Sequence, residues 1–202
     1  GANVGMINIG EMLGKSMGNK DKKKKMSVKE SHEILINDEA DKLIEQDKII
    51  KAENILLRIM LEDFEYYSII KRLIEKYNIG FESHLFNEVL EVFEKEGYKD
   101  SKNIINYLDT EDKINQISFV ILNEIVLDDK EKNISDCIRC LVVKQIEKEI
   151  NKLWYIQDNL LNQNQLVEWK ENLTTIKKLK NDKIEILTKG IIVSEFYNNK
   201  KG

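Results

Sequence analysis

From residue 52 onward, apolar residues recur every three or four positions, which is the period of an amphipathic α-helix. The successive apolar stripes are Ile55, Leu56, Ile59 and Met60; Tyr66, Ile69, Ile70, Leu73, Ile74 and Tyr77; Phe86, Val89, Leu90 and Phe93; Ile104, Ile105 and Leu108; Ile114, Ile117, Ile121 and Ile125. No segment keeps the strict alternation of a half-buried strand, and the best strand candidate is the short apolar run 191–197. The pattern predicts an all-α fold that begins with a helical bundle.

Polar and glycine residues mark the predicted ends of these helices. The predicted N-caps, whose side chains can accept a backbone hydrogen bond, are Ser83, Thr110 and Asn133. The predicted C-terminal stops are the sequence 78–80 (Asn-Ile-Gly), Gly97 and Gly190. These breaks predict short helices up to residue 125 and much longer ones after it.

The last 70 residues predict a long connecting helix followed by a C-terminal helical hairpin. One apolar stripe, narrow and flanked by charges, contains Ile138, Leu141, Val142, Ile146, Ile150 and Leu153. After a polar turn at 159–164, a second stripe contains Leu166, Trp169, Leu173, Ile176 and Leu179. Two amphipathic helices joined by a short polar turn are typical of a helical hairpin.

The first 50 residues differ in composition from the rest of the chain. Glycines recur near the start, and a lysine run (Lys20 and 22–25) follows. Such a block of like charges favours a solvated, partly flexible linker, with one helix near 38–50. The alternative is a basic contact with nucleic acid. We therefore predict three parts: the linker 1–50, the helical bundle 51–132, and the long helix with the hairpin 133–202.

Composition narrows the classes of partner. The chain has 36 acidic and 32 basic residues, a net charge of −4, which does not favour strong nucleic-acid binding over the whole surface. No apolar run approaches the roughly 18 residues of a membrane helix, and no signal peptide is apparent. We therefore expect that the chain does not associate with a membrane. Two cysteines and no disulfide framework favour a reducing cytoplasm.

Few residues suggest chemistry. Residues 96–100 (Glu-Gly-Tyr-Lys-Asp) are similar to the acidic motif of the metal-dependent catalytic fold of primases and topoisomerases, in which Glu96 and Asp100 would act with a metal. The preceding residues have a helical pattern rather than that of a buried strand, and no Asp-x-Asp follows, so we interpret the match as coincidence.

The remaining candidate motifs are incomplete. Cys137 and Cys140 form a single C-x-x-C pair, whereas zinc needs four ligands, and His32 and His84 are distant in sequence. The phosphate loop G-x-x-x-x-G-K-[ST] is absent from the sequence. We therefore expect no catalytic residue, no metal and no cofactor in this chain.

Three aromatic residues cluster near the predicted turn of the hairpin: Trp154, Tyr155 and Trp169. Tryptophan and tyrosine are enriched at binding hot spots. The alternative is that these rings pack the two helices together, because a two-helix unit has little other core.

Several segments resemble the helicase-binding carboxyl-terminal domain of bacterial DnaG-type DNA primases. The resemblance rests on the helix 52–61 (Ala-Glu-Asn-Ile-Leu-Leu-Arg-Ile-Met-Leu), the acidic pair 62–63, Phe81 with the helix carrying Leu85, Phe86 and Val89, and the sequence 136–139 (Asp-Cys-Ile-Arg). It covers roughly residues 52–190. The same bundle also resembles the amino-terminal domain of the replicative helicase, which is the nearest alternative.

The resemblance implies a non-enzymatic adaptor from a longer primase, a DNA-directed RNA polymerase that makes primers in DNA replication. The hairpin would bind the hexameric ring of the replicative DNA helicase and so recruit the primase. The contact residues expected on this basis are Trp154, Tyr155, Leu166, Trp169, Leu173 and Ile176. The apolar run 191–197 would either fold back on the bundle or extend the binding surface.

Overall fold

A computed structural model describes residues 6–7, 24–25, 28–122, 129–162 and 165–197. It confirms the all-α prediction. The α-helices of the described residues are α1 (Val28–Glu62), α2 (Phe64–Tyr77), α3 (His84–Glu96), α4 (Glu111–Leu122), α5 (Lys130–Asn162) and α6 (Leu166–Lys189). Two short 3-10 helices are η1 (Ile104–Tyr107) and η2 (Val193–Phe196). The strands β1 (Met6–Ile7) and β2 (Lys24–Lys25) form a small antiparallel pair, with Met6 opposite Lys25.

Helix α1 begins ten residues before the helix that we expected near 38–50. It runs without interruption from Val28 to Glu62. The sequence has no glycine or proline in this range, and its many Glu, Lys and Leu residues have good helix propensity. Helix α1 therefore combines a first part with little apolar periodicity and a last part with a strong apolar pattern. The boundary at residue 50 between linker and bundle stays a prediction.

Most of the predicted helix ends are confirmed. Ser83 caps α3, because its Oγ accepts a hydrogen bond from the N–H of Phe86 at 3.2 Å. Thr110 caps α4 in the same way through the N–H of Lys113 at 3.4 Å. Gly97 and Gly190 follow α3 and α6 with φ of 77° and 71°, values that glycine adopts without strain.

One further predicted helix end is confirmed and one is wrong. Helix α2 ends at Tyr77, and its C-cap Asn78, which has a left-handed φ of 49°, lies within the predicted stop 78–80. Asparagine tolerates this conformation better than most residues. The predicted N-cap Asn133 is wrong. Helix α5 begins earlier, and Asp129 accepts a hydrogen bond from the N–H of Lys132 at 2.9 Å, whereas the Asn133 side chain donates to the Asp129 carbonyl.

The described chain belongs to two compact units. One, here called the bundle unit, comprises Lys48–Gln145 and Lys183–Gly202. The other comprises Gly1–Asp47 and Ile146–Asp182. Within the second unit, the segments 146–162 of α5 and 166–182 of α6 form the pair that we call the hairpin. The three predicted domain boundaries stay a prediction.

The bundle unit has a dense apolar core. Its fully buried side chains include Leu56, Leu57, Ile59, Met60, Ile69, Ile70, Leu73, Phe86, Ile104, Ile117 and Ile134. All of them except Leu57 and Ile134 belong to the apolar stripes that the sequence predicts, and they are supplied by α1 to α5 and η1. Burying one such side chain contributes roughly 1.5–3 kcal/mol. This core holds the unit together.

An aromatic cluster lies at one edge of this core. It joins Phe64 and Tyr67 of α2 to Phe93 of α3 and to Tyr98 in the following loop. Tyr67 and Phe93 meet edge to face, with ring centroids 4.9 Å apart. Such pairs add about 0.5–1.5 kcal/mol beyond their burial, so the cluster fixes the loop after α3 against α2.

One carboxyl group lies inside the bundle unit. Glu53 of α1 is 0% exposed, and its two carboxyl oxygens accept hydrogen bonds from the N–H groups of Glu82 and Ser83 at 2.8 and 2.9 Å. A buried carboxyl group is tolerated where such donors satisfy it. Glu53 therefore anchors the loop that leads into α3.

A second polar contact fixes the loop after α2. The Gln145 side chain of α5 donates to the carbonyl of Asn78 at 2.8 Å and accepts from the N–H of Gly80 at 3.2 Å. Both backbone groups lie beyond the end of α2, where no helical partner exists for them. Gln145 thus ties the α2–α3 loop to α5.

The apolar run 191–197 folds back on the bundle unit, one of the two alternatives left open by the sequence. It is not a strand: residues 193–196 form η2, and Ile191 and Val193 are buried.

Each helix among the described residues is too short or too polar to span a lipid bilayer.

Candidate partner-binding hairpin

The hairpin has a thin apolar interior. Ile176 of α6 is 1% exposed, and Ile150 of α5 is also buried. Leu153 and Leu173 are only half-buried. With so few buried apolar side chains, the burial energy available to the hairpin is small compared with that of the bundle unit.

A polar network links the two helices of the hairpin instead. Gln157 is 4% exposed, and its Nε2 donates to the carbonyl of Trp169 at 3.2 Å. The Asn172 Nδ2 donates to the carbonyl of Leu153 and to the Oε1 of Gln157, both at 2.8 Å. A buried amide that is left without partners is costly, so this network favours one register of the two helices.

Trp154 sits half-buried beside this network. Its indole Nε1 is enclosed and has no hydrogen-bond partner within the described structure. The ammonium of Lys180 lies 5.3 Å from the centroid of its ring, within the range of a cation–π contact. Trp154 therefore joins α5 to α6 through its ring face.

Large apolar side chains near the turn face solvent. Tyr155 is 73% exposed and Val167 is 68% exposed, and Ile156 and Leu166 are also exposed. Each lies within about two helical turns of the residues 163–165 between α5 and α6. A concentration of exposed apolar side chains is a feature of protein-binding surfaces. We call these four residues the tip residues.

The six residues expected to contact a partner divide by burial. Tyr155 and Leu166 are exposed, Trp154, Trp169 and Leu173 are half-buried, and Ile176 is buried. Tyr155 and Leu166 are thus the most accessible of the six to a partner. The Trp154 ring takes part in the helix–helix contact, which was the alternative interpretation of these rings, whereas Trp169 takes part through its backbone carbonyl. As a binding site, the set stays a prediction.

Sequence reasoning missed several residues that shape this site. Ile156 and Val167 fall outside the apolar stripes, which is itself the signal that they face solvent. Gln157 and Asn172 gave no signal, because amides at helical positions are usually on the surface. Their pairing depends on the register of the two helices.

The motif at 96–100 has a structural role. The Asp100 Oδ1 accepts hydrogen bonds from the N–H groups of Lys102 and Asn103 and from the Asn103 side chain, each at 3.0 Å. It thereby shapes the turn before η1. A surface pocket of about 610 Å³ lies beside this turn, lined by Tyr98, Lys99, Asp100, Asn103, Asn106 and Tyr107.

The two cysteines lie on one turn of α5. Cys137 is buried and Cys140 is half-buried, and neither forms a disulfide. Burial, followed by the neighbouring Cys140 and Asp136, raises the pKa of the Cys137 thiol to about 12, so Cys137 is a poor nucleophile. Among the described residues, no group of three or more His, Cys, Asp or Glu side chains could hold a metal ion.

Comparison with known proteins gives short local matches. The chain is 55% identical over 51 residues to the ATP-dependent protease ATPase subunit HslU of Brucella anthropi. It is 48% identical over 52 residues to that of Ruegeria sp. (strain TM1040) and 49% identical over 49 residues to that of Sinorhizobium fredii. No protein-family model and no solved structure matches the chain.

These alignments cover a small part of each protein. The first spans 25% of this chain and 12% of the relative. The other two span 26% and 24% of this chain and 12% and 11% of the relatives. The likeness is therefore to a segment of an ATPase subunit.

The relatives contradict the predicted identity. They are ATPase subunits of an ATP-dependent protease, not DNA primases, so the resemblance to the helicase-binding domain of primase is wrong. The predicted recruitment of a primase, the parent RNA polymerase and the replicative helicase as partner are wrong with it. The alternative, an amino-terminal domain of the helicase, is also unsupported. The other alternative, a basic nucleic-acid contact through Lys20 and 22–25, rests on side chains outside the described residues.

The structure gives a physical reason for this error. The resemblance rested mainly on apolar positions such as Leu56, Ile59 and Phe86, which are completely buried in the bundle unit. Those positions report how amphipathic helices pack, and any bundle of similar helix lengths needs them. They carry little information about a partner.

Proposed function

We propose that this chain acts in ATP-dependent proteolysis, as a helical protein-binding element of the ATPase component. The observation that carries the proposal is the match of 51 residues at 55% identity to the ATPase subunit HslU of Brucella anthropi. Because that match covers a quarter of the chain, the role of the remaining residues is inferred from their geometry.

The hairpin supports a binding role. Its tip residues are exposed apolar side chains that lie close in sequence to the turn. The polar network of Gln157 and Asn172 favours a single register for the two helices that carry the tip residues. A surface that is fixed before binding loses less conformational entropy on association. We propose that the tip residues contact the ATPase subunit. The cytoplasm is the compartment that we propose, since cysteines outside disulfides are typical of a reducing environment.

Binding to the ATPase subunit tests this proposal. The chain is mixed with purified HslU of Brucella anthropi and followed by size-exclusion chromatography with light scattering. We expect co-elution at micromolar concentration. The substitutions Tyr155→Lys and Val167→Lys together should weaken the affinity at least tenfold, because they place charge where apolar contact is proposed.

A matched control separates the tip from general surface hydrophobicity. Phe119 of α4 is 62% exposed but belongs to the bundle unit. The variant Phe119→Lys should bind as the unmodified chain does. Absence of a complex, or equal weakening by both variants, contradicts the proposal, provided that circular dichroism shows unchanged helix content.

A further inference from the structure

The pocket beside η1, here called the η1 pocket, is held in a fixed shape by the bundle unit. Its volume of about 610 Å³ lies within the usual range of ligand-binding pockets. Its lining consists of Tyr98, Lys99, Asp100, Asn103, Asn106 and Tyr107. The segment that carries these residues is anchored twice: the N–H of Ser101 donates to the carbonyl of Leu61 at 3.0 Å, and Ile104 is 0% exposed. The pocket therefore has its shape before any ligand binds.

The two charged groups of the lining already have partners within the chain. The Lys99 ammonium donates to the carbonyl of Glu96 at 2.9 Å and lies 5.2 Å from the centroid of the Tyr107 ring. The Asp100 Oδ1 accepts the three hydrogen bonds that shape the turn. An added cation would meet the Lys99 ammonium and an added anion would meet the Asp100 carboxylate, so the pocket favours an uncharged ligand.

Two exposed carboxamides supply the hydrogen-bonding groups that remain. The Asn103 Nδ2 donates to the Asp100 Oδ1, which leaves a second N–H and the Oδ1 of Asn103 available. Within the described part of the chain, the Asn106 carboxamide has no hydrogen-bond partner. A carboxamide presents a donor and an acceptor side by side, as a peptide group does along a backbone. The pair therefore suits a ligand that is built from amide groups.

The spacing of the two carboxamides matches that of an extended peptide. Asn103 immediately precedes η1 with helical φ and ψ of −100° and −25°, and Asn106 lies within η1. In a 3-10 helix, residues i and i+3 lie one above the other, about 6 Å apart along the axis. In an extended chain, groups on the same side repeat every two residues, about 6.6 Å apart. Each carboxamide can therefore meet one of two successive peptide groups on the same side of a ligand.

Two phenol rings complete the lining. Tyr98 is half-buried and Tyr107 is 40% exposed, and the faces of such rings suit aliphatic side chains. We propose that the η1 pocket binds an extended, uncharged segment of polypeptide. Asn103 and Asn106 hydrogen-bond to its backbone, and the rings of Tyr98 and Tyr107 contact its side chains. This site goes beyond the proposed function, because its residues belong to the bundle unit and not to the hairpin.

NMR spectroscopy of the full chain, labelled with ¹⁵N, detects peptide binding at this site directly. The probe is an acetylated and amidated tetrapeptide of alternating threonine and valine, which is uncharged and favours an extended backbone. We expect saturable shifts of the amide signals of residues 98–107 at millimolar peptide. The assay contains no ATPase subunit, so its outcome is independent of whether the chain binds HslU.

A pair of matched variants tests the role of the carboxamide. Asn106→Leu removes the hydrogen-bonding groups but keeps the size of the side chain, and should weaken peptide binding about fivefold, the effect of one lost hydrogen bond. Asn115 of α4 is an exposed asparagine of the same unit outside the pocket lining. The control Asn115→Leu should bind the peptide as the unmodified chain does. Both side chains are exposed, so both variants should fold, as unchanged signals elsewhere in the spectrum would show.

Two further ligands test the chemistry of the site. The same tetrapeptide with N-methylated backbone amides lacks the N–H donors and should cause no saturable shift. An uncharged disaccharide offers hydroxyl groups in place of peptide groups and should cause none either. The proposal is refuted if the unmodified peptide causes no saturable shift of residues 98–107 at millimolar concentration. Equal affinity of the two leucine variants, or binding of the N-methylated peptide or the disaccharide as tightly as the unmodified peptide, refutes it as well.

Discussion

The bundle unit and the hairpin are built from the same kinds of helix but are held together differently. In the bundle unit, apolar side chains from five helices and η1 enclose one another, and even the buried Glu53 is satisfied by backbone donors. In the hairpin, two buried isoleucines and a polar network hold two helices. Elements with few buried apolar contacts open at lower free energy. The bundle unit is thus the stable part and the hairpin the adaptable part.

This difference has a functional consequence. A two-helix pair cannot enclose many apolar side chains, so those near its turn stay exposed. The same lack of core that limits the stability of the hairpin leaves Tyr155 and Val167 free to contact another protein. In the bundle unit most of the described stripe residues are buried and the rest are half-buried, although Phe119 and Leu122, which lie outside the stripes, are exposed.

The largest expected effect is the loss of stability when one buried isoleucine is replaced, and it should differ between the two regions. Ile59→Ala in the bundle unit should lower the free energy of unfolding by about 4 kcal/mol, whereas Ile176→Ala in the hairpin should lower it by about 2 kcal/mol. The two side chains are 0% and 1% exposed, so burial alone predicts equal losses. The hairpin can collapse around the missing atoms. Urea unfolding of both variants measures the difference, and equal losses would remove the distinction between the regions.

Removal of the buried carboxyl group should have the next largest effect. Glu53→Ala leaves the N–H groups of Glu82 and Ser83 without their acceptors, and should cost about 3 kcal/mol. Glu53→Gln keeps one acceptor oxygen and should cost about half as much. The exposed Glu94 on α3 is the control, and its replacement by alanine should change stability by less than about 0.5 kcal/mol. Thermal unfolding of the three variants is the measurement.

The polar network of the hairpin predicts a smaller, coupled effect. Gln157→Ala and Asn172→Ala should each cost about 1 kcal/mol. Since the two side chains bond to each other at 2.8 Å, the double variant should cost less than the sum of the two single variants. A double-mutant cycle by chemical denaturation gives the coupling energy. Strict additivity would mean that the network does not fix the register.

The smallest expected effect concerns pH in the aromatic cluster of the bundle unit. Burial, followed by the carboxylates of Asp100, Asp63 and Glu62, raises the pKa of the Tyr98 hydroxyl from 10.0 to about 12. The folded state therefore holds this proton more tightly than the unfolded state. The resulting stability is complete below pH 10 and is lost as the pH rises toward 12.

Tyr98→Phe removes this titration but keeps the ring. The variant should lose less stability than the unmodified chain between pH 9.5 and pH 11, as measured by urea unfolding at each pH. Identical pH dependence of the two proteins would show that Tyr98 ionises with an ordinary pKa in the folded state.

The sequence predicts the fold better than the site because of where the information lies. The stripes Ile55 to Met60 and Ile69 to Leu73 specify buried helical faces directly, since burial depends on spacing along one helix. Ser83 and Gly97 likewise mark the two ends of α3 through interactions and conformation that involve only nearby residues in the sequence. Such local signals suffice for the class of fold and for most helix ends.

Features that join distant segments gave no such signal. Gln145 meets the loop after α2 across 65 residues or more, and Ser135 meets Ile191 across 56. The binding surface is harder still to predict, because three of the four exposed tip residues, Tyr155, Ile156 and Val167, lie outside the apolar stripes. An identity based on core positions was therefore wrong, although the fold based on them was confirmed.

Hydrogen exchange with mass spectrometry, on the chain with and without the HslU ATPase subunit, tests the central claim most directly. Without the subunit, amides of the hairpin should exchange faster than those of α1 to α3 within the bundle unit. With the subunit, segments containing Tyr155 and Val167 should gain protection while the bundle unit stays unchanged. Protection confined to the bundle unit, or no change at concentrations that saturate the subunit, would contradict the assignment of the hairpin as the binding element.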